Sequence, residues 1–281
     1  MSLKVYFDYN IYVAISNKKI IYKKTDIIDI YYSVAHVEEF YKAYSNSSEE
    51  NREELIRLKR IIKSQSFNGI ILNPSINFIE AKTQSFESCF DLIKNRDTRM
   101  VVQENGSVYY KNYNVFRENL LEQDPSSKFN SKCSIEEIWE RPEVRDELNQ
   151  FDEYYRRYVA DYYQSLYSVY KDGAYSIPLC FPSNYSLKRN CLKKEKVSFQ
   201  VLEMVFEFLN NILCKCGYYK DQTERTTQSG IHDVTHLIYA TYCDFFITND
   251  HRLLCRAKAI YYFLGIDIRV FSFDEFVNFI K

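Results

Sequence analysis

An alternation at both ends of the chain constrains the fold most: short apolar runs, each closed by a polar or acidic residue and followed by a helix-forming stretch. Leu3-Lys-Val-Tyr-Phe-Asp8 reads as a buried strand ending in an acid, with a helix from about Ile11. Ile27 to Ser33 is a second β-branched run, passing into Val34-Ala-His-Val-Glu-Glu-Phe40 as a helix start with Ser33 at the cap. Toward the other end, Ser229 to Tyr242 reads as a helix, Phe245 to Thr248 as a strand and Asp250 to Phe263 as a helix. Ile266 to Phe271 then reads as a strand and Phe273 to Ile280 as a last helix. Short, mostly apolar strands alternating with helices at both ends of the chain predict an α/β fold built on a parallel sheet.

The middle of the chain differs. It carries strand signals only at Met100 to Val102 and Ser107 to Tyr110, around the turn-like Asn105-Gly106, and the rest is helical. Glu143 to Lys171 is the longest helical stretch, with positions 151, 155, 158, 162, 166 and 169 on one face. That aromatic stripe reads as helix-packing core or as a homodimer interface, ahead of a base-stacking platform. Ser198 to Leu213 is a further amphipathic helix. The expected division is a core formed by residues 1–84 and 223–281 around a mostly helical insertion, 85–222.

Composition removes whole classes. A content of 46% hydrophobic and 27% charged residues excludes disorder, and 6 Gly with 5 Pro disfavours a loop-rich all-β fold. Charges interrupt every apolar run, so no membrane span is expected. The N-terminal stretch resembles neither a signal nor a transit peptide, and the 8 cysteines form no C-x-x-C, so reduced thiols and a cytoplasmic location are expected. With 37 Lys+Arg against 38 Asp+Glu, any nucleic-acid contact must come from a local patch. The best candidate is Lys188, Arg189, Lys193, Lys194 and Lys196, either a phosphate-tracking loop or an exposed connection; Lys59, Arg60 and Lys63 are weaker.

Asp8 ends the first strand and Asp250 follows the strand Phe245 to Thr248, so both belong at the carboxyl ends of parallel strands, where ligands bind. Glu39 lies early in the helix after the second strand, and Asp233 early in the helix opened by Ser229. Converging carboxylates without counter-charges raise one another's pKa or recruit a cation. Hard Mg²⁺ or Mn²⁺, which takes oxygen ligands and keeps room for water and phosphate, is the expected cofactor.

Val5-Tyr-Phe-Asp8-Tyr-Asn10, Ser33-Val-Ala-His36-Val-Glu38-Glu39-Phe40 and Asp233-Val-Thr-His236 with Asp244-Phe-Phe-Ile-Thr248-Asn249-Asp250 resemble the ordered motifs of PIN-domain nucleases. The resemblance covers roughly the first eighty and last fifty-five residues, and the long middle departs from the compact pattern. It implies a three-layer α/β/α fold with Asp8, Glu39, Asp233 and Asp250 as metal-binding acids. Asn10 would stand beside the first acid, and Thr248 and Asn249 before the last. Also implied is Mg²⁺- or Mn²⁺-dependent hydrolysis of RNA, less often single-stranded DNA, leaving a 5′-phosphate and a 3′-hydroxyl. A bacterial toxin or anti-phage effector, with an inhibitor or effector-system partner, suits such a fold. Glu38 is the alternative register to Glu39. His36 is expected to be structural, or else to orient Glu39 or bind phosphate. His236 is expected to pack or hydrogen-bond beside the acids, since imidazole suits Mg²⁺ poorly, and Asp244 to help a turn into its strand. Two other readings stay open. One is a catalytically idle scaffold or RNA-binding protein. The other is an aspartate-nucleophile phosphatase, which Asn10 and Tyr12 fit poorly.

Overall fold

The computed structural model describes residues 2–22, 25–75, 78–100, 133–171, 187–192, 197–220 and 233–281. Strands β1 (Leu3–Phe7), β2 (Ile28–Ser33), β3 (Ser66–Ser75), β4 (Phe78–Thr83), β5 (Phe245–Ile247) and β6 (Arg269–Phe271) form one sheet in the order β4-β3-β2-β1-β5-β6. Neighbours are parallel except β4, which runs antiparallel to β3. From β1 the chain builds outward through β2 and β3, then returns to the other side of β1 as β5 and β6. The order therefore reverses between β1 and β5, and that reversal opens a crevice beyond their carboxyl ends.

Helices cover both sides of the sheet. They are α1 (Tyr9–Ser16), α2 (Val34–Ser45), α3 (Glu49–Gln65), α4 (Phe86–Met100), α5 (Ile135–Glu140), α6 (Pro142–Lys171), α7 (Phe199–Lys215), α8 (residues 233–240), α9 (His251–Leu264) and α10 (Phe273–Phe279). Successive residues of a strand face opposite ways. Phe7 meets Tyr12 of α1 and Phe273 and Phe276 of α10 on one side. Tyr6 meets His236 of α8 and Phe246 of β5 on the other. Burial on both sides explains why β1 needs no polar alternation.

The expected boundary at residue 85 is not a boundary in packing. Phe86 stacks on Tyr32 and meets Phe40, so α4 belongs to the layer over α2. Trp139 of α5 donates its indole N–H to the Ala259 carbonyl at 3.0 Å and lies against Phe263, while Phe206 of α7 meets Tyr261. The middle helices share one hydrophobic core with the sheet. The β3–β4 hairpin has no counterpart among the sequence expectations. Met100, expected in a strand, closes α4, and the remainder of that expected hairpin lies outside the described residues. On α6 the buried face runs through Val144, Leu148, Phe151, Tyr155, Val159 and Tyr163, while Tyr154 is exposed. Among the described residues no helix is long and apolar enough to cross a membrane.

Candidate functional site

Asp8 is the first residue beyond β1. It occupies the N-cap position of α1, yet its carboxylate makes no capping bond. Its Oδ2 instead accepts from the buried Thr248 hydroxyl at 2.8 Å and, at 3.4 Å, from Asn10 Nδ2. Thr248 Oγ1 also accepts the Asp250 N–H at 3.1 Å, which couples the ends of β1 and β5. Asp250 does cap its helix: Oδ1 accepts the N–H groups of Arg252 and Leu253 at the start of α9, at 2.8 and 3.0 Å. Glu39, on α2, accepts from His236 Nε2 at 2.8 Å. Asp233, on the first turn of α8, has Oδ2 4.0 Å from Arg256 Nη2, the outer edge of ion-pair distance. Arg256 is itself tied to the Tyr219 carbonyl.

These four acids feel one another's charge. Burial raises the Asp8 carboxyl, His236 and the Thr248 hydroxyl pull it back, and Glu39 and Asp250 push it further. Asp233 is raised well above the ordinary range by burial and then by Asp8, with Arg256 opposing and Glu39 and Asp250 adding. Burial disfavours charge on His236, but Glu39, Asp8 and Asp233 outweigh it and raise its pKa. Four acids thus share one buried guanidinium and one histidine, so the described cluster holds more acids than bases. Asp8, Glu39 and Asp250 are each oriented through one oxygen, and among the described residues their second oxygens carry no hydrogen bond; Asp233 has only the distant Arg256.

A buried polar brace lies beneath the acids. The Tyr6 hydroxyl sits 2.7 Å from His236 Nδ1, 2.6 Å from Ser33 Oγ and 3.3 Å from His36 Nδ1. His36 Nδ1 accepts the Ser33 N–H at 3.0 Å, which leaves Nε2 as the protonated nitrogen, and it donates to the Phe7 carbonyl at 2.8 Å. Burial and then the nearby His236 hold the His36 pKa well below its usual value, so this ring is neutral.

Several sequence expectations are corrected by these positions. His36 does not reach Glu39; it steadies the peptide before Asp8, and His236 is the imidazole that holds Glu39. Glu38 points toward α7, where its charge acts on Glu203. Asn249 accepts the Phe273 N–H at 3.0 Å and so serves the start of α10 instead of the acids. Asp244 is where it is expected, in the turn leading into β5, and accepts the Lys4 N–H at the end of that strand far from the acids. Lys188 and Arg189 sit in a turn bonded through Asn190 and Leu192 to the Phe263 and Leu264 carbonyls. Gly265 admits that turn: its φ is +73°, and a Cβ there would lie 2.8 Å from Asn190 Oδ1. The turn therefore packs at the C-terminal end of α9, about 20 Å of helix away from Asp250. Arg189 itself lies over Tyr262. Lys193, Lys194 and Lys196 lie outside the described residues.

Sequence reasoning missed Tyr6, Arg256 and Tyr9. The Tyr9 hydroxyl is buried and, among the described residues, has no hydrogen-bond partner; its pKa is raised by burial and by Glu39. Pairing and periodicity give such residues no signal. Among the described residues, no three His, Cys, Asp or Glu side chains stand ready to coordinate an ion as they lie. No protein-family model, curated protein or solved structure matches the chain.

Proposed function

We propose that the crevice is the active site of a metal-dependent, PIN-like nuclease acting on RNA. The observation that carries this reading is the convergence of Asp8, Glu39, Asp233 and Asp250, three of them with one oriented and one uncommitted oxygen, at the strand-order reversal. Such a donor set fits Mg²⁺ or Mn²⁺, which takes carboxylate oxygens and tolerates retained water. Loading an ion would draw the acids inward from their present positions. When bound, the metal lowers the pKa of water and offsets charge on a phosphodiester. The chain's own part is orientation: Thr248 and Asn10 aim Asp8, the α9 amides aim Asp250, and His236 aims Glu39. Tyr9 supplies a buried hydroxyl beside Glu39 for substrate or water. RNA in preference to DNA rests on the family resemblance.

Incubating labelled RNA and single-stranded DNA with Mn²⁺, Mg²⁺ or EDTA, wild type beside Asp8→Asn/Asp233→Asn, tests the proposal. Cleavage that needs the metal and disappears in the variant is expected. Cleavage that survives both chelation and the substitutions would reject it, and no metal binding by calorimetry would favour an idle scaffold.

A further inference from the structure

A groove of about 590 Å³ runs between α6 and α7, within the size range of small-molecule sites. Its floor includes the stacked pair Phe151 and Phe208, with ring centroids 3.4 Å apart and planes 10° from parallel. On the α6 side stand Tyr154, which is 58% exposed, and Tyr158, their rings 26° from parallel. Gln200 donates to the Tyr158 hydroxyl at 2.9 Å and fixes that ring. Glu203 and Glu207 line the α7 side, one helical turn apart. Glu147, at the edge, is ion-paired with Lys215.

The groove has no charge balance of its own. Among the described residues no lysine, arginine or histidine lines it, and neither Glu203 nor Glu207 has an ion-pair partner. Burial pushes both carboxyls up to about 7, with Glu207 and Glu38 adding to the shift at Glu203. A phosphate or other anion would be repelled here, and a hydrated metal ion gains little from ring faces. An organic cation gains from both, because aromatic faces attract ammonium groups and carboxylates neutralise them. Carboxylates one turn apart have Cβ atoms about 5–6 Å apart. Three or four methylenes between two amines span that separation.

We propose that this groove binds a linear polyamine, with successive ammonium groups on Glu203 and Glu207 and the intervening methylenes against Tyr154, Tyr158 and Phe208. The assignment is independent of the nuclease reading.

Calorimetric titration of the full chain with spermidine tests it. Saturable binding at one site is expected, weakened at least about tenfold by Glu203→Gln/Glu207→Gln and about threefold by Tyr154→Ala. Tyr154 is largely solvent-facing, so its variant keeps the test alive if the double variant fails to fold. Asp8→Asn/Asp250→Asn should leave spermidine binding unchanged. Absence of saturable heat, or binding indifferent to the groove substitutions, overturns the proposal. Binding lost in the Asp8 variant also overturns it and places the cation among the crevice acids. A lysine-rich peptide that binds where spermidine does not would assign the groove to a basic protein segment, against the small-molecule claim.

Discussion

The crevice and the α6–α7 groove both bury more carboxylates than bases, but they hold those groups differently. Asp8, Glu39, Asp233 and Asp250 come from separate elements, and hydrogen bonds from Thr248, His236 and the α9 amides fix the direction of three of them. Glu203 and Glu207 come from a single helix, and among the described residues neither accepts a hydrogen bond. Aromatic rings, a thioether and amide side chains line the groove around them. Desolvation is common to both places; what differs is whether the oxygens are aimed. Aimed oxygens suit a small hard cation with strict geometry. Unaimed charge among rings suits an extended, soft one.

The largest effect that bears on this contrast should come from Asp8→Asn/Asp233→Asn. Under the nuclease reading it lowers metal-dependent cleavage on the order of a thousandfold or more, while spermidine binding stays as in wild type. Loss of both activities together would merge the two regions into one site. Next, His236→Ala removes the donor that aims Glu39. Metal affinity measured by titration should fall about 10- to 100-fold, and Tyr6→Phe, which only loosens the brace, should fall less.

The groove carries its own pH signature. Glu203 and Glu207 have raised folded-state pKa values, so the native state favours their protonated forms. Their contribution is fully present below about pH 4, where unfolded glutamates are still largely protonated. It is lost as pH rises through about 7. Glu203→Gln/Glu207→Gln should therefore match wild type near pH 4 and exceed it by about 2 kcal/mol at pH 8, a Tm gain of about 5 °C. Equal melting curves at pH 8 would remove the charge argument from the groove. The smallest effect belongs to Lys188→Ala/Arg189→Ala, which should leave RNA cleavage within about twofold because that turn sits at the wrong end of α9.

How far these features could be read from sequence depends on how local their causes are. β1, β2 and β5 were legible because strands buried on both faces are mostly apolar, here interrupted by Lys4, Asp29 and Ser33 alone. The β3–β4 hairpin was not: Asn68 and Gly69 take left-handed conformations within β3, and its pairing with β2 shifts register nearby. The four acids could be placed because strand ends and helix starts are marked by short-range signals. What surrounds them could not, since the Tyr6–His236–Glu39 chain and the Arg256 approach join residues over 20 to 230 positions apart. The basic run near Lys188 looked like a binding loop because charge is visible in sequence, whereas the packing of Asn190 against Gly265 is not. The stripe on α6 was foreseen as one face, but it divides between the core and the wall of the groove.

The hydroxyl bond from Thr248 to Asp8 spans 240 positions and carries a consequence for biosynthesis. While the polypeptide is still emerging from the ribosome, the residues of β1 and α2 are synthesised long before the strand that completes the crevice exists. Until residues 245–250 arrive, Asp8 lacks its hydroxyl donor and Asp250 is missing altogether. If the pocket cuts RNA, translation itself is the safety catch: the message being read cannot be attacked by the chain it is still encoding.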